Sequence, residues 1–139
     1  LLYKLKGYSD DWIEKRMRGI AIREELTDEW QKRGVILQRE YEILTAEISQ
    51  AAFGITPSQY KKLKGLKRQN LRDHMDDFEL IFTMLGERVT TEISKLEKPD
   101  TLSKNSSVAH RGGKVAGNAR IETEKEIDRS VVSKGNYLK

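Results

Sequence analysis

Asp76-Asp77-Phe78-Glu79-Leu80-Ile81-Phe82-Thr83-Met84-Leu85-Gly86-Glu87-Arg88-Val89-Thr90-Thr91-Glu92-Ile93-Ser94-Lys95-Leu96 is the stretch that decides the fold class. Its opening reads as an Asp-x-x-Glu capping box, in which each side chain satisfies a backbone N–H left free at a helix start. Phe78, Phe82, Leu85, Val89, Ile93 and Leu96 then recur at spacings of three and four, the period of one helical face. Pro99 lies just beyond the end. The spacing predicts a long helix central to the core.

Working outward, similar signals recur on both sides. Ser9 is a helix cap followed by Asp10 and Asp11, which complement the helix dipole. Ile13, Met17 and Ile20 continue at helical spacing, and Ile22, Leu26 and Trp30 follow on a rotated stripe that ends at Gly34. That rotation predicts either one long helix wrapping a core or a break near Thr27. A second helix is expected from about Gln38 to Phe53 on Tyr41, Leu44, Ile48 and Ala51 or Ala52, with Gly54 as its stop. Thr56-Pro57 opens a short helix through Tyr60 and Leu63 to Gly65. Thr101 caps a last helix to about Ile127, beyond which residues 129–139 read as a loose, irregular basic tail.

The expected architecture over residues 1–139 is all-α, a single compact bundle of about five helices. At 139 residues the chain suits one core. It carries 37% apolar and 35% charged residues, which suits helices with one buried stripe. With no cysteine there is no disulfide, thiolate metal site or cysteine nucleophile. No apolar run approaches the roughly 20 residues of a membrane span, and no secretory signal opens the chain, so a cytoplasmic protein is expected. The first residue is Leu1, which suggests a fragment of a longer protein.

Charge is more informative than its net value of +4. Between Ile55 and Met75, Lys61, Lys62, Lys64, Lys67, Arg68 and Arg72 face the single acid Asp73. Residues 76–100 carry seven acids against three bases, and residues 101–139 eight bases against four acids. The basic segment either binds an anion or pairs with the acidic one beside it. Its Leu63-Lys64-Gly65-Leu66-Lys67 turn, faintly like a helix-hairpin-helix turn, could present cations and backbone N–H groups to phosphates. Alternatively it is a solvated connector anchored through Tyr60, Leu63, Leu66 and Leu71.

A second stretch, from Val108 to Arg120, is poor in bulk. Each glycine in a helix costs about 1 kcal/mol relative to alanine, so Gly112, Gly113 and Ala116, flanked by Arg111, Lys114 and Arg120, call for a compensating contact. Close packing of a helix, within the domain or across a homodimer, is favoured over phosphate binding, and a flexible break is the remaining alternative. His74 and His110 have no partner at metal-ligand spacing, so neither metal nor cofactor is expected. Trp12, Trp30, Tyr41, Phe78 and Phe82 fall on apolar stripes and read as core. With no Walker loop, dinucleotide fingerprint or nucleophile elbow, the expectation is not an enzyme.

The order of segments resembles a known family. Gly7-Tyr8-Ser9-Asp10-Asp11-Trp12-Ile13, Arg18-Gly19-Ile20, Glu25-Leu26-Thr27-Asp28-Glu29-Trp30 and Tyr41-Glu42-Ile43-Leu44-Thr45 are followed by Leu63-Lys64-Gly65-Leu66-Lys67, Asn70-Leu71-Arg72-Asp73 and Thr91-Glu92-Ile93-Ser94-Lys95. Arg111-Gly112-Gly113-Lys114-Val115-Ala116-Gly117-Asn118-Ala119-Arg120 and Val131-Val132-Ser133 complete the series. Together they resemble the C-terminal half of bacterial BRO-family proteins, the phage antirepressor-like group that includes DNA-damage-inducible protein D-like members. The chain departs from that pattern in having Ile127-Asp128-Arg129-Ser130 where the family more usually places Thr-Gly before Val-Val-Ser. The resemblance implies a regulatory module of a prophage-type protein whose upstream Bro-N domain is the part usually held to bind DNA. It brings no catalytic residues. Expected partners are DNA held weakly through phosphates, a repressor or DNA-repair protein, or a second copy of the chain. The alternative is an interaction domain with no nucleic-acid role.

Overall fold

The computed structural model describes residues 2–136, and every regular element among them is helical. Six α-helices follow in order: α1 (Leu2–Leu5), α2 (Asp10–Lys32), α3 (Gln38–Phe53), α4 (Pro57–Leu63), α5 (Asp77–Glu97) and α6 (Leu102–Ile127). A 3-10 turn at Leu71–His74 lies in the connector between α4 and α5. The all-helical bundle is as expected; α1 and the 3-10 turn are additions that no periodic stripe announced.

The caps act where local chemistry places them. The Ser9 hydroxyl accepts from the Trp12 N–H, Thr56 forms a reciprocal box with Gln59, and Asp76 does the same with Glu79. Gly54 ends α3 at φ 79°, a left-handed conformation that costs glycine no steric penalty. Asp128 takes a similar conformation at φ 56° to end α6. There is no break near Thr27: α2 is continuous through it.

The helices pack around α5, which lies against α2 on one side and α6 on another, while α3 packs on α6. The apolar core divides into two clusters. One gathers Tyr8, Trp12, Phe53, Tyr60, Met75 and Phe82 near the connector, and the other gathers Leu26, Trp30, Val35, Leu44, Ile48 and Ala109.

Two expected faces are corrected. On α2 the buried positions are Trp12, Arg16, Gly19, Leu26, Glu29 and Trp30, leaving Met17 more than half exposed. On α5 the stripe is rotated: Gly86, Glu87, Thr90, Thr91 and Ser94 are buried, whereas Leu96, expected inside, is 82% exposed. A small and polar face can be buried because each polar group is satisfied. Thr90 and Thr91 donate to the Gly86 and Glu87 carbonyls four residues back, and Ser94 donates to Glu29 across to α2 at 2.7 Å.

That small face admits α6 at close range. An added Cβ at Gly112 would lie 2.8 Å from the Thr90 Cα, and one at Gly113 would lie 2.6 Å from the Ile48 carbonyl oxygen and 2.9 Å from the Ala51 Cβ. Gly112, Gly113 and Ala116 are therefore packing residues within the chain, between α6 and its neighbours α5 and α3.

The basic tail is irregular but not loose over its described part. Val131 is fully buried, and its N–H donates to Glu124 at 2.8 Å. The Gly135 carbonyl accepts from Lys64. The remainder of the expected loose tail, residues 137–139, lies outside the described residues.

Candidate anion-binding cleft

α2 and α3 both lean on the α5–α6 layer and leave a cleft of about 700 Å³ between them. Its size falls in the range of roughly 300–1,000 Å³ found for ligand pockets. One wall is α2, with Arg16, Ile20 and Arg23. The facing wall is α3, with Thr45, Ile48, Ser49 and Phe53, and the far end is closed by Lys61 of α4 and by Arg68, Leu71 and Arg72 of the connector. Glu87 of α5 reaches it from below.

Glu87 organises the charges. Its carboxylate is buried and accepts a two-pronged pair of bonds from Arg72 at 2.8 and 2.6 Å. Arg23 adds a third bond at 2.8 Å and spans to α3 through Thr45 at 2.7 Å. Burial alone would raise the Glu87 carboxyl, but the Arg72 and then the Arg23 guanidinium outweigh it and hold the group below the ordinary carboxylate value. The same pairing holds Arg72 above its ordinary value against the opposing effect of its own burial. Two guanidiniums on one carboxylate leave a residual positive charge at the cleft.

The connector is fixed by bonds at Asp73 and Met75. Arg16 donates to Asp73 at 3.0 Å, Tyr3 donates to the same carboxylate at 3.0 Å, Tyr8 donates to the Asp73 carbonyl, and the Trp12 indole N–H donates to the Met75 carbonyl at 2.8 Å. With Tyr60, Leu66 and Leu71 buried in the core and Lys62, Lys67, Arg68, Gln69 and Asn70 exposed, the basic segment is a solvated connector anchored through those apolar residues, as the alternative reading expected.

The six cations expected to contact phosphate separate into distinct groups. Lys61, Arg68 and Arg72 line the cleft, while Lys62 and Lys67 are exposed outside it. Lys64 is a correction. Its side chain is fully buried, bonds Glu79 at 2.9 Å and cannot reach a ligand in solvent. Tyr60 shares the Glu79 carboxylate, and burial followed by that charge pushes its phenol far above the ordinary value. Burial also raises Glu79, opposed by its bonds from Tyr60 and Lys64. Intramolecular pairing thus takes Lys64 and Arg72, whereas Lys61, Lys62, Lys67 and Arg68 form no ion pair among the described residues.

The residues around the glycines are not brought to the cleft. Arg111 pairs with Glu97 at the surface, Lys114 is exposed, and Arg120 donates to the Ala52 carbonyl at 2.7 Å and to Glu124 at 2.8 Å. His74 meets Asn136, and His110 meets Glu47. No group of three His, Cys, Asp or Glu side chains placed to hold a metal ion occurs among the described residues. No described helix is long and apolar enough to cross a membrane.

Sequence reading missed Arg16, Arg23, Thr45 and Glu87. A signal existed: Trp12, Arg16, Gly19, Arg23, Leu26 and Trp30 follow helical spacing, so the two arginines interrupt an aromatic and aliphatic face. Chemically, the cleft offers an attractive field, guanidinium and ammonium donors, and an apolar wall beside them.

Comparison with models of known protein families, with curated proteins and with solved structures finds no match to this chain.

Proposed function

We propose that this chain is a non-catalytic regulatory module of the BRO-family type, contributing partner or DNA contacts in a prophage-type transcription regulator. The observation that carries the nucleic-acid part is the set of four cations without ion-pair partners among the described residues, Lys61, Lys62, Lys67 and Arg68, presented on α4 and the connector. Other cations of the same segment are satisfied internally, so these four are what remains for phosphates. The ordered resemblance running from Gly7 to Ser133 supports the regulatory setting. Phosphate contacts of this kind supply affinity and salt dependence without reading sequence.

The test is binding of this chain to single- and double-stranded oligonucleotides as a function of salt. Each phosphate neutralised on duplex DNA contributes a slope of about −0.9 to log K against log salt. Binding should weaken steeply with salt, and the K61E/K62E/K67E/R68E variant should lose both affinity and most of the slope while keeping its fold. No binding at low salt would overturn the nucleic-acid part and make this a protein-interaction domain.

A further inference from the structure

The cleft contains more positive charge than its own residues neutralise. Arg16, Arg23, Lys61, Arg68 and Arg72 line it against Glu24 and Glu87, and Asp73 draws on Arg16 from beside it, leaving a surplus of two. The cations without an ion pair among the described residues sit at the mouth of the cleft, Lys61 half-buried and Arg68 exposed, and two paired arginines lie behind them. Arg72 and Arg23 keep only 18% and 26% of their side-chain area exposed, held there by the buried Glu87. An anion that enters between these mouth cations and the partly buried guanidiniums behind them gains charge-assisted bonds from both.

The space is far larger than one phosphate or carboxylate needs. Behind the cations the wall is apolar, formed by Ile48, Phe53, Leu71 and Met75. An occupant that uses both parts has a doubly charged head and an apolar or flat body. The rim adds the side-chain amides of Gln38 and Asn70, which can bond the edge of a heterocycle and would be wasted on a fatty acyl chain.

We infer that the cleft between α2 and α3 is a binding site for a nucleoside monophosphate. The phosphate meets Lys61, Arg68 and the outer edge of Arg72, and the base lies against the α3 wall. Arg23 and Glu87 are positioning residues that hold Arg72 in place. The same chemistry could come from a free nucleotide or from the phosphorylated end of a single strand. The site shares Lys61 and Arg68 with the proposed DNA surface but does not require that surface to bind duplex.

The experiment is calorimetric titration of the whole chain at low salt with deoxyadenosine monophosphate, deoxyadenosine and inorganic phosphate. The nucleotide should bind at one site, at least about tenfold more tightly than either of its halves. K61E/R68E, altered at the mouth of the cleft, should weaken it by at least about tenfold with an unchanged unfolding midpoint. I20W, which fills the cleft from the α2 wall, should weaken it too. Nucleotide binding no tighter than that of inorganic phosphate, or unaffected by K61E/R68E, would overturn the site. A 5′-phosphorylated trinucleotide compared with its 5′-hydroxyl form distinguishes the sources. Binding of the 5′-phosphorylated form tighter than both its 5′-hydroxyl form and the free nucleotide upholds the site with a strand end as occupant, and no difference between the two trinucleotide forms upholds it with the free nucleotide. Duplex binding without nucleotide binding overturns this inference and leaves the surface reading standing. Nucleotide binding without duplex binding does the reverse.

Discussion

Glu87 is one carboxylate that serves two arginines from different parts of the chain, Arg23 of α2 and Arg72 of the connector. Removing one partner from a buried charge cluster leaves the others uncompensated, at a cost of about 3–5 kcal/mol. Glu87→Gln should therefore lower stability by about that amount near neutral pH, read by urea unfolding; an unchanged midpoint would discredit the triad. The pH dependence has a definite sign. The folded Glu87 value lies below the ordinary 4.5, so the unfolded chain takes up the proton first as pH falls. The stabilisation is complete above about pH 4.5 and is lost as pH drops through the lowered folded value. The acid limb of a stability-against-pH curve should be shallower in Glu87→Gln than in the parent. None of this was legible around Glu87 in sequence, because a carboxylate within an apolar period looks like a solvated residue until its partners, fifteen and sixty-four positions away, are brought to it.

At the scale of elements, the packing of α6 on α3 and α5 depends on the absence of side chains. Alanine is a better helix former than glycine by about 1 kcal/mol. Gly19→Ala in α2, where the added Cβ would meet Met84 at an ordinary 3.6 Å, should thus raise stability by about 0.5–1 kcal/mol. Gly112→Ala and Gly113→Ala should instead lower it by about 1–3 kcal/mol, since overpacking against backbone outweighs the helical gain. Gly113→Leu should be worse still. Thermal unfolding of the four variants checks the contrast, and a stabilised Gly113→Ala would remove the close-approach account. The need for a contact at these glycines was readable from their helical context. Which helix supplies it was not, because intramolecular and intermolecular packing ask for the same small residues.

For the whole molecule, the described part of the tail closes the fold over the α4–α5 end. Val131 is fully buried in the cluster with Tyr60 and Phe53, although it lies beyond the last helix. At about 0.8 kcal/mol per buried CH₂, Val131→Ala should cost roughly 1–2 kcal/mol. Val131→Asp should cost more, both measured by denaturant midpoint; no change in either would mean that the tail is only laid on the surface. Helix starts and stops at Ser9, Gly54, Thr56, Asp76 and Thr101 were readable in place, because a cap is a bond between residues three apart and a left-handed stop is a property of one residue. The all-helical class followed from the same local chemistry. Which face each helix buries was decided only in three dimensions. On α5, Thr90, Thr91 and Ser94 go inside and Leu96 stays out, because hydrogen bonds satisfy the polar face and glycines on α6 let a backbone come near it. The cleft arises at that same level: its cations come from α2, α4 and the connector, and their shared field exists only once α5 sets Glu87 between them.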